Sequence, residues 1–559
     1  MAARKDADRQ ASAMGAPLRQ RAFRRIWTAS LFSNLGQQVQ AVAAAWTMLQ
    51  ITHAPHLVAM VQTASMLPIM LLAIAAGAIA DMYDRRKVAI AALCLSFSGA
   101  LLLAAAAALG LISPAVILLC CFIVGTGLAL YSPAWQSSAS EVVGPEAMPA
   151  AVALYSLSNN AARSVGPAIG GVIVASAGMV VAFSLNAVLY LPILIALYLW
   201  KRQAEPPRLP PERLDRAMLA GLRYVRHAPP IRRAIGRTIT MAMGTSAIYS
   251  MTPFVARQIL GGGPGTYGLL LGAFGIGAVG FGLATARLRA RFPIEWTVRG
   301  CSLLLGLALL LISVSRHTPL TALAMLCAGG AWMVAISLLN VSVQLSSPRW
   351  VSGRALAAFQ AVIAGGLAGG AWLWGQIGQQ IDVATAIQIA GVVMLGSIFL
   401  GYLLPLPVSA AIEAGPPPGS DPVVKLDITG RSGPVVIEVE YAVAPEDARR
   451  FYDVMRQVKR SRERNGAFDV SLARDMADPS VWVERFHYPT WNDYLRARDR
   501  PTAEDRAIRD RATEFQVDKC EPRVRRMLER PFGSVRWRDE APDHGRRLPD
   551  LPVSPPGNS

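Results

Sequence analysis

The chain has 559 residues, 53% of them hydrophobic and only 16% charged, a balance that excludes an ordinary water-soluble protein. Its formal net charge of +18 is almost entirely arginine, because lysine occurs only at Lys5, Lys87, Lys201, Lys425, Lys459 and Lys519. No nucleic-acid motif accompanies that charge, and the cysteines show neither metal-ligand nor disulfide-framework spacing. Residues 1–25 form a polar, basic arm without the apolar run and small-residue cleavage site of a removable signal, so membrane insertion falls to the first apolar segment. Segments of bilayer-spanning length follow at 26–51, 57–79, 88–109, 114–135, 150–175 and 180–200. A second set runs at 234–256, 266–286, 298–315, 319–343, 355–377 and 384–404.

Charge in the connecting loops orients these spans. Arg85, Arg86 and Lys87, the connector 201–237, the turn 287–299, and Arg349 with Arg354 all fall on one side. The opposite loops carry no Lys or Arg apart from Arg257 and Arg316. Positive charge collects in cytoplasmic loops, so both termini are expected in the cytoplasm, which requires an even number of spans. Within the connector, Leu214, Met218, Leu222 and Val225 recur at helical spacing, which predicts an amphipathic helix on the membrane surface. Domain boundaries follow: an arm at 1–25, a first half at 26–200, the connector at 201–233 and a second half at 234–405.

Past Pro405 the composition changes. Residues 406–433 contain Pro416-Pro417-Pro418 and read as a linker. Strand 435–442, helix 445–464, strands 467–476 and 481–488, helix 490–515 and strand 523–528 then give the order β-α-β-β-α-β of a ferredoxin-like unit at 434–530. Residues 531–559, rich in Pro, Arg and Asp, are expected to be disordered.

Polar side chains inside a bilayer face a cavity or a partner. Asn34, Gln37 and Gln38 share a face of the first span, and Asn159, Asn160 and Arg163 share one of the fifth. Asn340 and Gln344 lie in the tenth and Gln360 in the eleventh. Trp46, Trp135, Tyr249 and Trp332 could stack on an aromatic ligand or simply pack. No Asp or Glu lies mid-span; Asp81, Glu141 and Asp382 stand at the membrane faces. The strings Gly125-Thr-Gly127-Leu-Ala129 and Gly166-Pro167-Ala-Ile-Gly170-Gly171 let helices approach closely.

The turn Gly77-Ala-Ile-Ala-Asp81-Met-Tyr-Asp84-Arg85-Arg86-Lys87 resembles the signature between helices 2 and 3 of the major facilitator superfamily, departing from it at Met82 and Asp84. The turn at 280–291 repeats its basic residues without the acid. Gly125–Ala129 resembles the fourth-helix signature with Cys121 in place of arginine. Gly166–Gly171 is similar to the end of the antiporter signature of the fifth helix, with Leu157 where an upstream glycine would stand. Ser132-Pro-Ala-Trp135-Gln136 with Glu141, residues 154–171, and Pro348-Arg-Trp-Val-Ser-Gly353-Arg354-Ala355 resemble the enterobactin-exporter-like facilitators, also called transmembrane secretion effectors. In the tail, Glu440-Tyr441, Phe451, Ser461-Arg462, Arg464, Gly466-Ala467, Arg474-Asp475 and Trp491 resemble a domain that some members append.

These resemblances imply an all-α membrane protein with the 12-helix fold in two halves of six, followed by an α+β ferredoxin-like cytoplasmic domain. They imply proton-driven, alternating-access efflux of a siderophore- or drug-like molecule from the bacterial inner membrane. Asp81 and Arg85 would latch across the cytoplasmic ends, with Arg86, Lys87, Glu141 and the glycines 77, 166, 170 and 171 beside Pro167 in the gating set. The turn could also serve only as a positive-inside anchor. Asn34, Gln37, Gln38, Trp135, Asn159, Arg163, Tyr249, Asn340 and Gln344 are the expected solute-binding residues. Coupling could run through Asp81 and Glu141, through His53 and His56, or be absent. The tail resembles small monooxygenases that dimerise through their sheet, which implies a homodimer. It lacks a metal cluster, a phosphate loop and a nucleophile–base pair, so no cofactor and no enzyme activity are expected. The alternatives are a tail that modifies the cargo and a facilitator that flips lysophospholipids.

Overall fold

A computed structural model describes residues 17–200, 223–348, 351–406, 424–426, 428–499, 502–517 and 522–529. Most of the N-terminal arm, residues 201–222 of the connector, most of the proline linker and residues 530–559 lie outside the described residues. The chain divides into two compact units, a helical one within residues 1–410 and a smaller one built mainly from 411–559.

The helical unit consists of α1 (Arg21–Thr52), α2 (Pro55–Met82), α3 (Arg85–Ala108), α4 (Pro114–Leu199), α5 (Pro229–Phe254), α6 (Pro264–Arg291), α7 (Ile294–Val314), α8 (Thr318–Leu345), α9 (Ser352–Gln380) and α10 (Val383–Gly396). Local chemistry sets their starts. Proline opens α2, α4 and α6, where its missing N–H costs nothing. Asp84, Ser113 and Asp382 cap α3, α4 and α10 through side-chain oxygens that accept from backbone N–H groups.

Among the described residues, nine helical stretches are long and apolar enough to cross a membrane. One of them, Ala150–Leu199, has 50 residues, which at ~1.5 Å per residue is about 75 Å and holds two crossings. The reversal comes at Gly178, whose φ of +81° only glycine adopts cheaply. A second reversal, between Gln136 and Ala150, brings Tyr131, Trp135, Val142 and Tyr155 into one apolar cluster. Helical hydrogen bonding persists through both turns, so spans expected as separate helices form the single run α4.

The two remaining crossings are α1 and α5, which are long enough at 32 and 26 residues but more polar. In α5 the hydroxyls of Thr238, Thr245 and Ser250 each donate to the carbonyl four residues back at 2.8 Å, which satisfies them inside an apolar bundle. Twelve crossings in two halves result. One end of the bundle carries the arginine-rich turns and is called here the basic end; the other is the far end.

In the smaller unit, β1 (Val435–Ala442), β2 (Phe468–Arg474), β3 (Val481–Tyr488) and β4 (Arg523–Leu528) form an antiparallel sheet in the order β2-β3-β1-β4. α11 (Ala448–Arg464), α12 (Trp491–Asp499) and α13 (Ala503–Thr513) complete the β-α-β-β-α-β order. Val435, Ile437, Val439 and Tyr441 alternate onto the core face, where they meet Phe451, Met455 and Val458 of α11. The single helix expected over 490–515 is two helices. The second starts at a capping box in which Thr502 and Asp505 bond each other's backbone N–H, a strong local start signal just after Pro501, itself outside the described residues.

Candidate functional site

The site lies where the two six-helix halves face each other. The fifth span, residues 150–175 of α4, makes two kinds of contact from adjacent faces. Methyl groups built on Gly166 and Gly170 would lie 2.6 Å from Gln38 Cβ and 3.0 Å from Val39 Cα, so these glycines let α4 close on α1 within the first half. A methyl on Gly171 would lie 2.6 Å from the Pro264 carbonyl and 2.8 Å from Gly268 Cα, so Gly171 meets α6 of the second half. Gly268 returns the contact, its methyl lying 2.6 Å from the Pro167 carbonyl. One step nearer mid-membrane, the Ser164 hydroxyl donates to the Gly275 carbonyl at 2.8 Å.

A second seam joins α2 to α9. His56 Nδ1 lies 3.1 Å from Gln379 Oε1, and the Thr63 hydroxyl donates to the Ala368 carbonyl at 2.9 Å. A methyl on Gly375 would meet Ala59 Cβ at 2.6 Å, and one on Gly365 would meet Met70 Sδ at 2.9 Å. Trp46 of α1 stacks on Tyr267 of α6 with centroids 6.1 Å apart. These contacts start at the far end and run to about the middle of the helices.

Where they stop, Arg163 projects from the fifth span, and its Nη2 donates to the Tyr249 hydroxyl of α5 at 2.8 Å. Tyr249 is braced edge-on by Phe274, 5.4 Å between centroids. A guanidinium among apolar helices, with no Asp or Glu mid-span, leaves an unneutralised cation facing the space between the halves. It offers planar N–H donors to an oxygen-bearing ligand.

Other expected residues divide around this pair. Asn34 donates from its amide to the Ser158 hydroxyl at 3.1 Å, and Gln38 packs against Gly166, so both line the α1–α4 seam. Gln37 is half-buried on the same helix. Asn159 donates to the Tyr155 carbonyl of its own helix at 3.1 Å. Asn340 and Gln344 bond each other along α8, towards its basic end. Trp135 is not among them: it is buried with Ile26, Ala29, Tyr131 and Tyr190, a packing position.

At the basic end the charged turn supplies helix caps. Asp84 accepts from the Arg86 and Lys87 backbone N–H groups at 2.9 and 3.1 Å, which explains an acid where the signature has glycine. Arg85 Nε donates to the Ala80 carbonyl at 3.4 Å, and Arg86 Nε donates to the Leu197 carbonyl at 2.9 Å. Cations thus close the C-terminal ends of α2 and α4, where the helix dipole is negative. Lys87 is exposed, and a methyl on Gly77 would meet nothing within 4 Å. The side chains of Asp81 and Glu141 lie outside the described residues.

Sequence reasoning missed three features. The first is the α6 side of the seam, signalled by Gly268, Gly272 and Gly275 at i, i+4 and i+7. The second is the buried bond between the Asn186 amide and Gln40. The third is Glu295, which pairs with Arg237 at 3.1 Å and Arg299 at 2.7 Å and accepts from the Leu406 N–H at 3.0 Å. The second half therefore has an acid at its basic end, four residues past the turn searched for it.

The family described as transmembrane secretion effector matches residues 11–532. The multidrug efflux pump Tap of Mycobacterium tuberculosis is 29% identical over 315 residues, 54% of this chain and 73% of Tap, and Tap of Mycobacterium bovis gives the same values. Among solved structures, the nucleoside transporter NupG superposes with a TM-score of 0.58 at 12% identity, covering 68% of this chain and 98% of NupG. A D-xylose–proton symporter gives 0.56 at 13%, covering 69% and 98%. Those two identities speak to the fold alone. Twelve crossings in two halves, glycine seams between them and a family match over nearly the whole length make this chain a major facilitator membrane transporter of the transmembrane secretion effector family, homologous to a multidrug efflux pump.

Proposed function

We propose that the chain exports a siderophore- or drug-like organic molecule across the bacterial inner membrane by alternating access, with both termini in the cytoplasm. The observation that carries this reading is the distribution of contacts between the halves. Among the described residues, they run from the far end to mid-membrane and give way to Arg163 and Tyr249, as in a carrier open at its basic end. Loop arginines assign that end to the cytoplasm, so this is the loading state. Arg163 and Tyr249 hold an anionic or oxygen-bearing group of the cargo, with Asn34, Gln37, Gln38, Asn159, Asn340 and Gln344 along the walls. Coupling to protons is part of the proposal, and without a mid-span carboxylate it runs through groups at the membrane faces. In the opposite state, Asp81 with Arg85 latches the cytoplasmic ends, supported by Glu141.

The smaller unit acts as a dimerising module without a cofactor. The sheet face opposite α11 carries cross-strand pairs, Glu438 with Arg485 at 3.9 Å and Glu440 with Arg525 at 3.5 Å, which suit a second copy of the same face. Light scattering on the full chain in detergent tests the dimer. For transport, Asp81→Asn should lower efflux from cells while the amount of protein in the membrane stays the same. Unchanged efflux sinks the latch. Profiling the medium of a deletion strain identifies the cargo, and an unaltered profile removes the export reading.

A further inference from the structure

On the outer side of the second half, α6, α7 and α8 enclose an apolar groove of about 280 Å³. Phe281 and Leu288 of α6, Gly300 and Leu304 of α7 and Val334 of α8 line it, with Trp296 at its mouth. Trp296 is 63% exposed and Phe292 53%, so the groove opens outward, away from the seam between the halves. From Trp296 to Leu304 it follows α7 for eight residues, about 12 Å. That is close to the depth of one leaflet, half of a hydrocarbon core ~30 Å thick.

The mouth is charged in one sense. Arg287, Arg289 and Arg291 are exposed on the last turns of α6, directly before Phe292. The nearby acid, Glu295, is committed to Arg237, Arg299 and the Leu406 N–H, so it does not neutralise them. Arg299 also lies 5.1 Å over the Trp296 ring and 4.3 Å over that of Tyr402, which holds the indole at the mouth.

From this arrangement we infer a binding site for an anionic phospholipid of the leaflet at the basic end. One acyl chain fills the groove, Trp296 sits at headgroup level, and the phosphate meets Arg287 and Arg291, one turn apart on the same face of α6. Apolar length of one leaflet under a cluster of cations matches the two ends of such a lipid; a neutral lipid would match only one. The lipid is a bound ligand of the outer surface and not cargo, so the inference stands apart from the export reading.

The test uses the full chain in phosphatidylcholine bilayers containing a minority of brominated lipid, with Trp296 fluorescence isolated by subtracting the Trp296→Phe variant. Brominated phosphatidylglycerol should quench Trp296 more effectively than brominated phosphatidylcholine, by about fivefold in effective affinity for each arginine engaged. A methyl on Gly300 would meet nothing within 4 Å, so Gly300→Leu fills the groove without moving backbone and should abolish the preference. Replacing Arg287 and Arg291 with glutamine should abolish it by a separate route. Equal quenching by the two lipids overturns the inference, and so does a preference that survives Gly300→Leu. Relief of quenching by a neutral drug-sized dye, with no preference for the anionic lipid, would reassign the groove to solute.

Discussion

Gly171→Ala should shift the transporter away from the state described here. Gly171 and Gly268 touch backbone to backbone, and the added methyl would lie 2.6 Å from the Pro264 carbonyl and 2.8 Å from Gly268 Cα. Carbon contacts settle at about 3.5–4.0 Å, so the fifth span and α6 must part by most of an ångström, with no flexible side chain to absorb the overlap. Overpacking of this kind costs ~1–3 kcal/mol. Because the contact belongs to the far-end seam, the cost falls on the state closed there and not on one whose far ends have separated. A penalty of about 2 kcal/mol changes the ratio of the two states roughly 30-fold. Spin labels at Leu111 and Arg316, exposed positions in far-end loops of the two halves, report the separation by pulsed electron resonance in bilayers. The long-distance population should grow in Gly171→Ala. It should not grow in Gly369→Ala, where the methyl would meet nothing within 4 Å. A folded Gly171→Ala protein with an unchanged distance distribution would falsify the assignment of this seam to one state.

Arg163→Ala should weaken binding of a transported solute to the purified protein by about 10- to 100-fold, the range for a lost charge-assisted hydrogen bond. Arg163→Lys should fall between, since it keeps the charge but not the planar donors that reach Tyr249; identical affinities in all three proteins would remove Arg163 from the site. In the smaller unit, burial alone would raise the Asp505 carboxyl, but the Arg464 charge and hydrogen bonds from Ser461 and the Thr502 backbone outweigh it and hold the carboxyl below its ordinary value. A depressed carboxylate stabilises the fold above its unfolded pKa of about 3.9 and loses that contribution as pH falls through the folded value. Protection factors of α11 and α13 amides in the full chain, which are corrected for the pH dependence of intrinsic exchange, should therefore fall below about pH 4. Asp505→Asn should flatten that dependence and cost about 1.5–3 kcal/mol at neutral pH, because the charge-assisted bond from Arg464 to this carboxylate is lost. A variant with the native acid response refutes this.

The membrane fold was legible because a bilayer imposes so narrow a rule. Each crossing needs about 20 apolar residues, and arginines then mark one side, so spans and their grouping follow from composition. The ferredoxin-like order was legible from alternation, since Val435, Ile437, Val439 and Tyr441 face the core in turn. The extent of α4 was not, because a loop signal such as Gly178 can turn a chain without ending its helical hydrogen bonding. Contacts across space were hidden as well. Trp135 looks like a stacking platform in one dimension and is a packing residue in three. Glu295 escaped notice because its partner Arg237 is 58 residues away and on another helix.

The fifth span shows what one helix can encode with a single short string. Successive residues on an α-helix point about 100° apart, so the pair Gly166 and Gly170 and the pair Pro167 and Gly171 occupy adjacent faces. The first pair closes on α1 in its own half, and the second meets α6 in the other. Contacts inside a half persist whichever way the carrier faces, whereas contacts between halves must break once per cycle. Equivalent substitutions one residue apart should therefore separate two properties. A methyl at Gly170 would lie 3.0 Å from Val39 Cα and 3.3 Å from Val42 Cβ, so Gly170→Ala loads both states alike. It should lower the thermal stability of the solubilised protein while leaving the Leu111–Arg316 distance distribution in place. Gly171→Ala should do the reverse. If both variants moved the same observable by the same amount, the string would be a uniform close-packing stripe rather than a hinge with one fixed face and one moving face.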